Sequence, residues 1–216
     1  SDWLQRERYE TIVLRFDGVE SRYKVWVNGI EIGVGTGSRL AQEFDVTEAV
    51  TEGVNTLAVR VHQWSAFTYV EDQDQWWLSG IFRDVALLHR PAGGVEHVVV
   101  TAEYDHATGE GVFRADVETG PDAAEATVRI AELGIEVGSG EEVRVAVEPW
   151  SAEVPRLYEA VVSTDAESVT LAVGFRTISI TDGVFEVNGA PVKMYGVNRH
   201  EFEPTRGRAV TPETML

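Results

Sequence analysis

The sequence predicts an all-β chain built as two successive β-sandwiches, followed by the opening strand of a β/α unit. Three observations carry this. Apolar residues alternate with polar ones at period two over most of the chain, Asn-Gly and Asp-Gly pairs punctuate the alternating runs, and the register restarts after Arg90-Pro91-Ala92-Gly93-Gly94. At 216 residues the chain is long for one sandwich and comfortable for two, since domains cluster near about 100–150 residues.

The elements follow in order. Tyr9 to Phe16 reads as a strand, as do Tyr23, Val25, Val27 set against Lys24, Trp26, Asn28, and Leu57, Val59, Val61 set against Ala58, Arg60, His62. Between the run ending at Val27 and the apolar positions Ile30, Ile32 and Val34 sits Asn28-Gly29, a pair that tolerates the positive φ angles of a tight hairpin. Positions 1–91 supply five or six strands where a jelly roll uses about eight, so the first strands are expected to be missing. Residues 92–180 hold short strands around Val98, Phe113, Val128, Val145, Val162 and Val173, the spacing of an immunoglobulin-like sandwich without helices. From 181 to 216 the character changes. Asp182-Gly183 and Asn188-Gly189 flank Val184 to Val187, Val192 to Gly196 reads as a buried strand, and a polar loop over 198–208 leads to Thr211-Pro212-Glu213, a helix start with Thr as cap and Pro in first position. A strand, a loop and a helix start cannot close a barrel, so a truncated β/α unit is expected.

Composition excludes several classes. Thirty-six acidic residues against 18 basic ones give a formal charge of −18, which repels nucleic acid. The absence of cysteine excludes disulfides and thiolate metal sites. No run approaches the roughly 18 apolar residues of a membrane helix, and Ser1-Asp2-Trp3-Leu4 lacks the apolar core of a signal peptide, so a cytoplasmic protein without membrane partners is expected. Nucleotide-binding glycine loops and the hydrolase serine elbow are also absent.

Two segments can carry chemistry. Glu71-Asp72-Gln73-Asp74-Gln75-Trp76-Trp77 combines carboxylates that accept hydrogen bonds from sugar hydroxyls with indole faces that pack on a pyranose ring. The same segment also fits an acidic surface loop whose tryptophans anchor it in the core. Asn198-Arg199-His200-Glu201-Phe202-Glu203 follows the expected barrel strand, the position from which loops face an active-site mouth. His200 there is either a donor to a sugar hydroxyl or a loop histidine satisfied by a neighbouring carboxylate. His200, Glu201 and Glu203 offer metal-type ligands at a spacing that matches no dedicated metal motif. His62, His89, His97 and His106 lie in or beside strands and read as structural or surface residues.

The string from Tyr69 to Leu88, Tyr-Val-Glu-Asp-Gln-Asp-Gln-Trp-Trp-Leu-Ser-Gly-Ile-Phe-Arg-Asp-Val-Ala-Leu-Leu, resembles the β-galactosidases of glycoside hydrolase family two. Phe16 to Ser21, Trp26 to Gly29, Gly37 to Leu40, Trp150 to Tyr158, Val173 to Arg176 and Gly196 to Glu201 extend the resemblance in family order. It implies a galactose-binding-like jelly roll over 1–91, an immunoglobulin-like sandwich over 92–180 and the first strand of a catalytic TIM barrel over 181–216. It implies that Asp74 contacts the galactosyl group and helps hold sodium, and that His200 hydrogen-bonds the same sugar. Both catalytic glutamates and the magnesium ligands are expected in a part of the enzyme beyond this sequence. Phe202 and Glu203 depart from relatives with histidines there.

The expected function is therefore one portion of a retaining β-galactosidase that acts on terminal β-galactosides as a homo-oligomer, with no catalytic residue and no firmly bound cofactor in this portion. The alternatives are a stand-alone carbohydrate-binding module, a scaffold module, and a β-glucuronidase or β-mannosidase portion.

Overall fold

A computed structural model describes residues 10–74, 77–121, 123 and 125–215. Tyr9, expected to open the first strand, lies outside the described residues. The chain separates into two compact units, one formed by residues 1–90 with 197–216 and the other by 91–196. The segment 181–216, one piece by sequence pattern, is thus divided between them.

The first unit contains β1 (Thr11–Phe16), β2 (Val19–Glu20), β3 (Arg22–Val27), β4 (Ile30–Thr36), β5 (Gln42–Asp45), β6 (Leu57–His62), the helix α1 (Ala66–Val70), β7 (Gly80–Ile81) and β8 (Val85–Arg90). They form sheets ordered β5-β1-β8 and β4-β3-β6, with β2 and β7 as a separate antiparallel ribbon. Ile12, Leu14 and Phe16 of β1 share one core with Tyr23, Val25 and Val27 of β3, so the two larger sheets pack face to face. The β3–β4 hairpin turns through Asn28 and Gly29 at φ 50° and 82°, as the Asn-Gly pair predicts. A Cβ on Gly35 would lie 2.2 Å from the Tyr23 ring, so β4 passes that ring only because the position is glycine.

The second unit contains β9 (Val95–Asp105), β10 (Glu110–Thr119), β11 (Thr127–Ile130), β12 (Ile135–Gly138), β13 (Glu142–Ala146), β14 (Tyr158–Ser163) and β15 (Ser168–Val173). Sheets β13-β10-β9 and β12-β11-β14-β15 enclose Phe113, Val128, Ile130, Ala160, Val162 and Phe175. A third, small sheet follows, β16 (Ile178–Thr181), β17 (Val184–Val187) and β18 (Ala190–Pro191), with positive φ at Asp182, Gly183, Asn188 and Gly189, where the sequence places its two turns. The all-β reading holds, and the last helix, α2 (Pro212–Met215), begins at the expected proline, with the Thr211 carbonyl accepting from the amides of Thr214 and Met215.

Two local expectations are corrected. Val192 to Gly196, read as a buried strand, forms no strand and is exposed, with Met194 at 75% and Tyr195 at 87%. Beyond the Val192 amide, which donates to the Phe185 carbonyl, no described strand pairs with it, and unpaired apolar residues have no sheet to be buried against. The helix α1 is the second difference, because the sequence pattern predicts none there. Its capping box uses Thr68 in place of the usual Glu or Gln, which disguises the signal.

Candidate functional site

Both candidate segments lie in the first unit. The acidic segment is positioned by α1, which buried hydroxyls and a carboxylate fasten at both ends. The Ser65 hydroxyl caps the helix by accepting from the Phe67 amide, and Ser21 Oγ lies 2.7 Å from Ser65 Oγ and 3.3 Å from Thr68 Oγ1. At the other end Glu71 forms the C-cap, and its carboxylate accepts from the hydroxyl of Ser38 and, at 3.4 Å, from the Ser38 amide. Ser21 and Ser38 are buried, so both partners of α1 are fixed from the core side.

The chain leaves this brace at Asp72 and runs exposed through Asp74. Among the described residues none forms a hydrogen bond or ion pair with the Asp74 carboxylate, while Gln75 and Trp76 lie outside the described residues. Trp77 is half-buried and stacks on Trp64, with ring centroids 4.3 Å apart and planes 21° apart. Trp64 itself is 65% exposed, so the described tryptophan packs on a surface ring and does not anchor the loop in the core.

His200 is exposed and borders a cavity of about 320 Å³ together with Arg39, Phe82, Arg83, Arg199, Glu201 and Arg208. Arg199 pairs with Glu201 at 3.4 Å, and Arg83 donates to the backbone carbonyls of Asp17 and Arg39 at 3.4 and 3.2 Å. Four arginines thus line this space in a chain of net charge −18, two of them, Arg199 and Arg208, paired with glutamates. Asp74 does not line it. Each candidate residue sits on its own loop, and the cavity assembles groups around His200 alone.

Glu203 takes hydrogen bonds from the hydroxyl and amide of Thr205, which hold its carboxyl below the usual carboxylate range. Glu201 and Glu203 are therefore each occupied by a neighbour, and no three acidic or histidine side chains among the described residues converge on a metal-sized space. His89 Nε2 stands 3.0 Å from Glu10 Oε2, an ordinary surface pairing. No helix among the described residues is long and apolar enough to cross a membrane.

The sequence pattern gives no role to Glu20, Ser21, Ser38 or Arg208. The available signal is a carboxylate and a serine, Glu20-Ser21, interrupting an apolar strand context, where a buried polar group must find a partner.

Residues 1–91 match the model of the glycosyl hydrolases family 2 sugar binding domain, and residues 178–216 match the TIM barrel domain of the same family. A β-galactosidase of Arthrobacter sp. (strain B7) is 57% identical over 91% of this chain, which covers 20% of that protein. A β-galactosidase of Photobacterium profundum is 40% identical over 93% of the chain and 22% of its own length. The chain thus spans about a fifth of the length of these curated relatives. Among solved structures, a β-glucuronidase of an uncultured Clostridium sp. superposes with a TM-score of 0.82 at 28% identity, over 96% of this chain and 39% of that one. A β-glucuronidase of Ruminococcus gnavus reaches 0.84 at 22% identity over 99% and 41%, a likeness of fold. With two domain models of one family matching more than half of its residues, and with these relatives, the chain belongs to glycosyl hydrolase family 2.

Proposed function

We propose that this chain forms one wall of the sugar pocket in a retaining β-galactosidase. The observation that carries the reading is the 57% identity to a named β-galactosidase over 91% of the chain. The brace at Glu71, three residues before Asp74, supports it, because it fixes the point from which the Asp74 segment departs. In this reading Asp74 accepts hydrogen bonds from galactosyl hydroxyls, and His200 donates one that strengthens toward the transition state. Neither residue transfers a proton. The nucleophile and the acid/base, two carboxyl groups roughly 5–5.5 Å apart in retaining enzymes, come from the rest of the enzyme.

Sodium and magnesium belong to the same reading but are not built by this chain alone. Sodium needs several oxygen donors, Asp74 offers one exposed carboxylate, and no clustered trio of acidic or histidine groups stands among the described residues. No step is derived through either ion. A homo-oligomeric assembly and a cytoplasmic setting complete the proposal, checked by sedimentation of the whole enzyme and by cell fractionation.

The test is kinetic. Asp74→Ala in the whole enzyme lowers kcat/KM for an aryl β-galactoside by about a hundredfold or more, as loss of a positioned contact requires. The 216-residue chain alone gives no turnover above a mock preparation. Unchanged kinetics in the variant, or turnover by the chain, overturns the reading. A second reading, a glucuronide-cleaving enzyme, is favoured by the arginine-lined cavity beside His200, since guanidinium forks match carboxylates. Comparing aryl galactoside with aryl glucuronide decides between them. Calorimetric titration of the chain with galactose tests the stand-alone binding module.

A further inference from the structure

Among the described residues Glu20 is the only charged side chain that is fully buried, at 2% exposure. A carboxylate taken out of water is costly unless a cation meets it with good geometry. The cation is Arg208, whose Nη2 pairs with Glu20 Oε2, while Arg39 Nη2 stands at 4.0 Å from the same oxygen. Arg208 Nη2 also donates to the carbonyl of Leu78, and its guanidinium carbon lies 4.4 Å from the centroid of the Phe82 ring. Glu20, Leu78 and Phe82 all belong to or flank the β2–β7 ribbon, where Val19 pairs with Ile81 and Glu20 with Gly80. One ribbon therefore grips one arginine by charge, by a carbonyl and by an aromatic face. Burial lowers the Arg208 pKa by desolvation, yet a guanidinium is not deprotonated in proteins, so the grip keeps its charge.

The loop before Arg208 is closed upon itself. The Glu203 amide donates to the Gly207 carbonyl at 2.6 Å, and the Gly207 amide donates back to the Glu203 carbonyl at 2.8 Å. Thr205 ties the Glu203 carboxylate into the same turn at 2.5 and 2.9 Å. Gly207 adopts φ +66° beside Leu78, where a Cβ would stand 3.1 Å from the leucine methyl carbon. A closed turn links the Arg208 anchor to His200, three residues before the turn begins. A buried ion pair is weak evidence of stability, because apolar residues of the same size stabilise as well. What this one supplies is a tie between the β2–β7 ribbon and the residue that follows the turn.

We propose that Glu20 and Arg208 are positioning residues that hold His200 at its cavity through the Glu203–Gly207 turn. The proposal deepens the functional reading and rests on the role given there to His200.

The test is a double-mutant cycle in the whole enzyme, with Arg208→Met, His200→Ala and the pair, read as kcat/KM on an aryl galactoside. If Arg208 acts through His200, Arg208→Met alone lowers kcat/KM by about ten- to a hundredfold and adds nothing once His200 is alanine. Additive effects, or no effect of Arg208→Met, overturn the proposal. Glu20→Gln, equal in size without the charge, is the second variant and must give the same non-additivity if Arg208→Met does not fold. In the 216-residue chain Arg208→Met accelerates tryptic cleavage after Arg199 and Arg206 roughly tenfold by releasing the loop, with sites in the second unit unchanged. Cleavage at the wild-type rate also overturns it. If His200→Ala leaves the kinetics untouched, the role of His200 falls, and proteolysis alone decides whether Arg208 holds the loop.

Discussion

In the second unit the buried core is apolar throughout the described residues, from Phe113 to Phe175, whereas in the first unit Glu20, Ser21, Ser38 and Thr68 lie among the buried side chains. Leaving such a group unsatisfied costs about 1–3 kcal/mol, which favours a partner for each of these four. Those partners lead outward. Ser21 and Thr68 fix the start of α1, Ser38 fixes its end through Glu71, and Glu20 fixes Arg208. Each therefore ends at one of the two loops that carry Asp74 and His200. The two interiors differ in kind: that of the second is apolar packing, and that of the first carries polar groups bonded to the helix and loop residues that precede Asp74 and follow His200.

The largest expected effect lies in the packed unit. Phe175 is fully buried and packs on Tyr158 and Phe113, with centroids 5.7 and 6.2 Å away. Phe175→Ala is expected to destabilise the second unit by about 3–5 kcal/mol in urea unfolding, with native-state hydrogen exchange in β1 and β3 unchanged. Loss of protection in both units would show that they unfold together.

Tyr23 sharpens it from the other side. Its ring is 1% exposed, its hydroxyl has no hydrogen-bond partner among the described residues, and burial pushes its pKa up to about 12. In the unfolded chain this phenol ionises near pH 10, so between about pH 10 and 12 the unfolded state loses a proton that the folded state keeps. Stability present below pH 10 is then lost as pH rises, by roughly 2–3 kcal/mol. Tyr23→Phe removes that loss and stabilises the first unit by about 1 kcal/mol at neutral pH, as chemical denaturation across the pH range will read.

A smaller effect is expected at Ser38. Ser38→Ala removes the hydroxyl that holds Glu71 and should cost about 1 kcal/mol of stability while lowering kcat/KM of the whole enzyme more than that loss alone explains. Equal stability loss without a kinetic change would put the brace outside the site. The smallest effect concerns Glu203, whose folded pKa is depressed by Thr205. The support it lends to its turn is present above the unfolded carboxylate range and is lost as pH falls through the folded value, read as weaker hydrogen-exchange protection of the Gly207 amide in acid.

The hairpins are legible in the sequence because Asn28-Gly29, Asp182-Gly183 and Asn188-Gly189 state their backbone angles in their own chemistry. So is the alternation of β3, where Tyr23, Val25 and Val27 are buried and the residues between them are less so. The two candidate loops are visible as strings of sugar-compatible side chains, and their resemblance to one family reaches both. What supports them is not visible. Ser21 meets Ser65 and Thr68 over more than 40 positions, Ser38 meets Glu71 over 33, and Arg208 meets Leu78 over 130.

The sequence by itself therefore determined the strand periodicity, the turns, the all-β class and the family, since these depend on local backbone preference and on short strings of residues. The tertiary structure alone decided that Glu20 lies buried against Arg208, that Glu71 is a brace while Asp74 stands free of ion pairs among the described residues, and that Val192 to Gly196 is left without a sheet. The physical reason is that a polar group's role is set by the partner it finds when water is removed, and those partners come from distant parts of the chain.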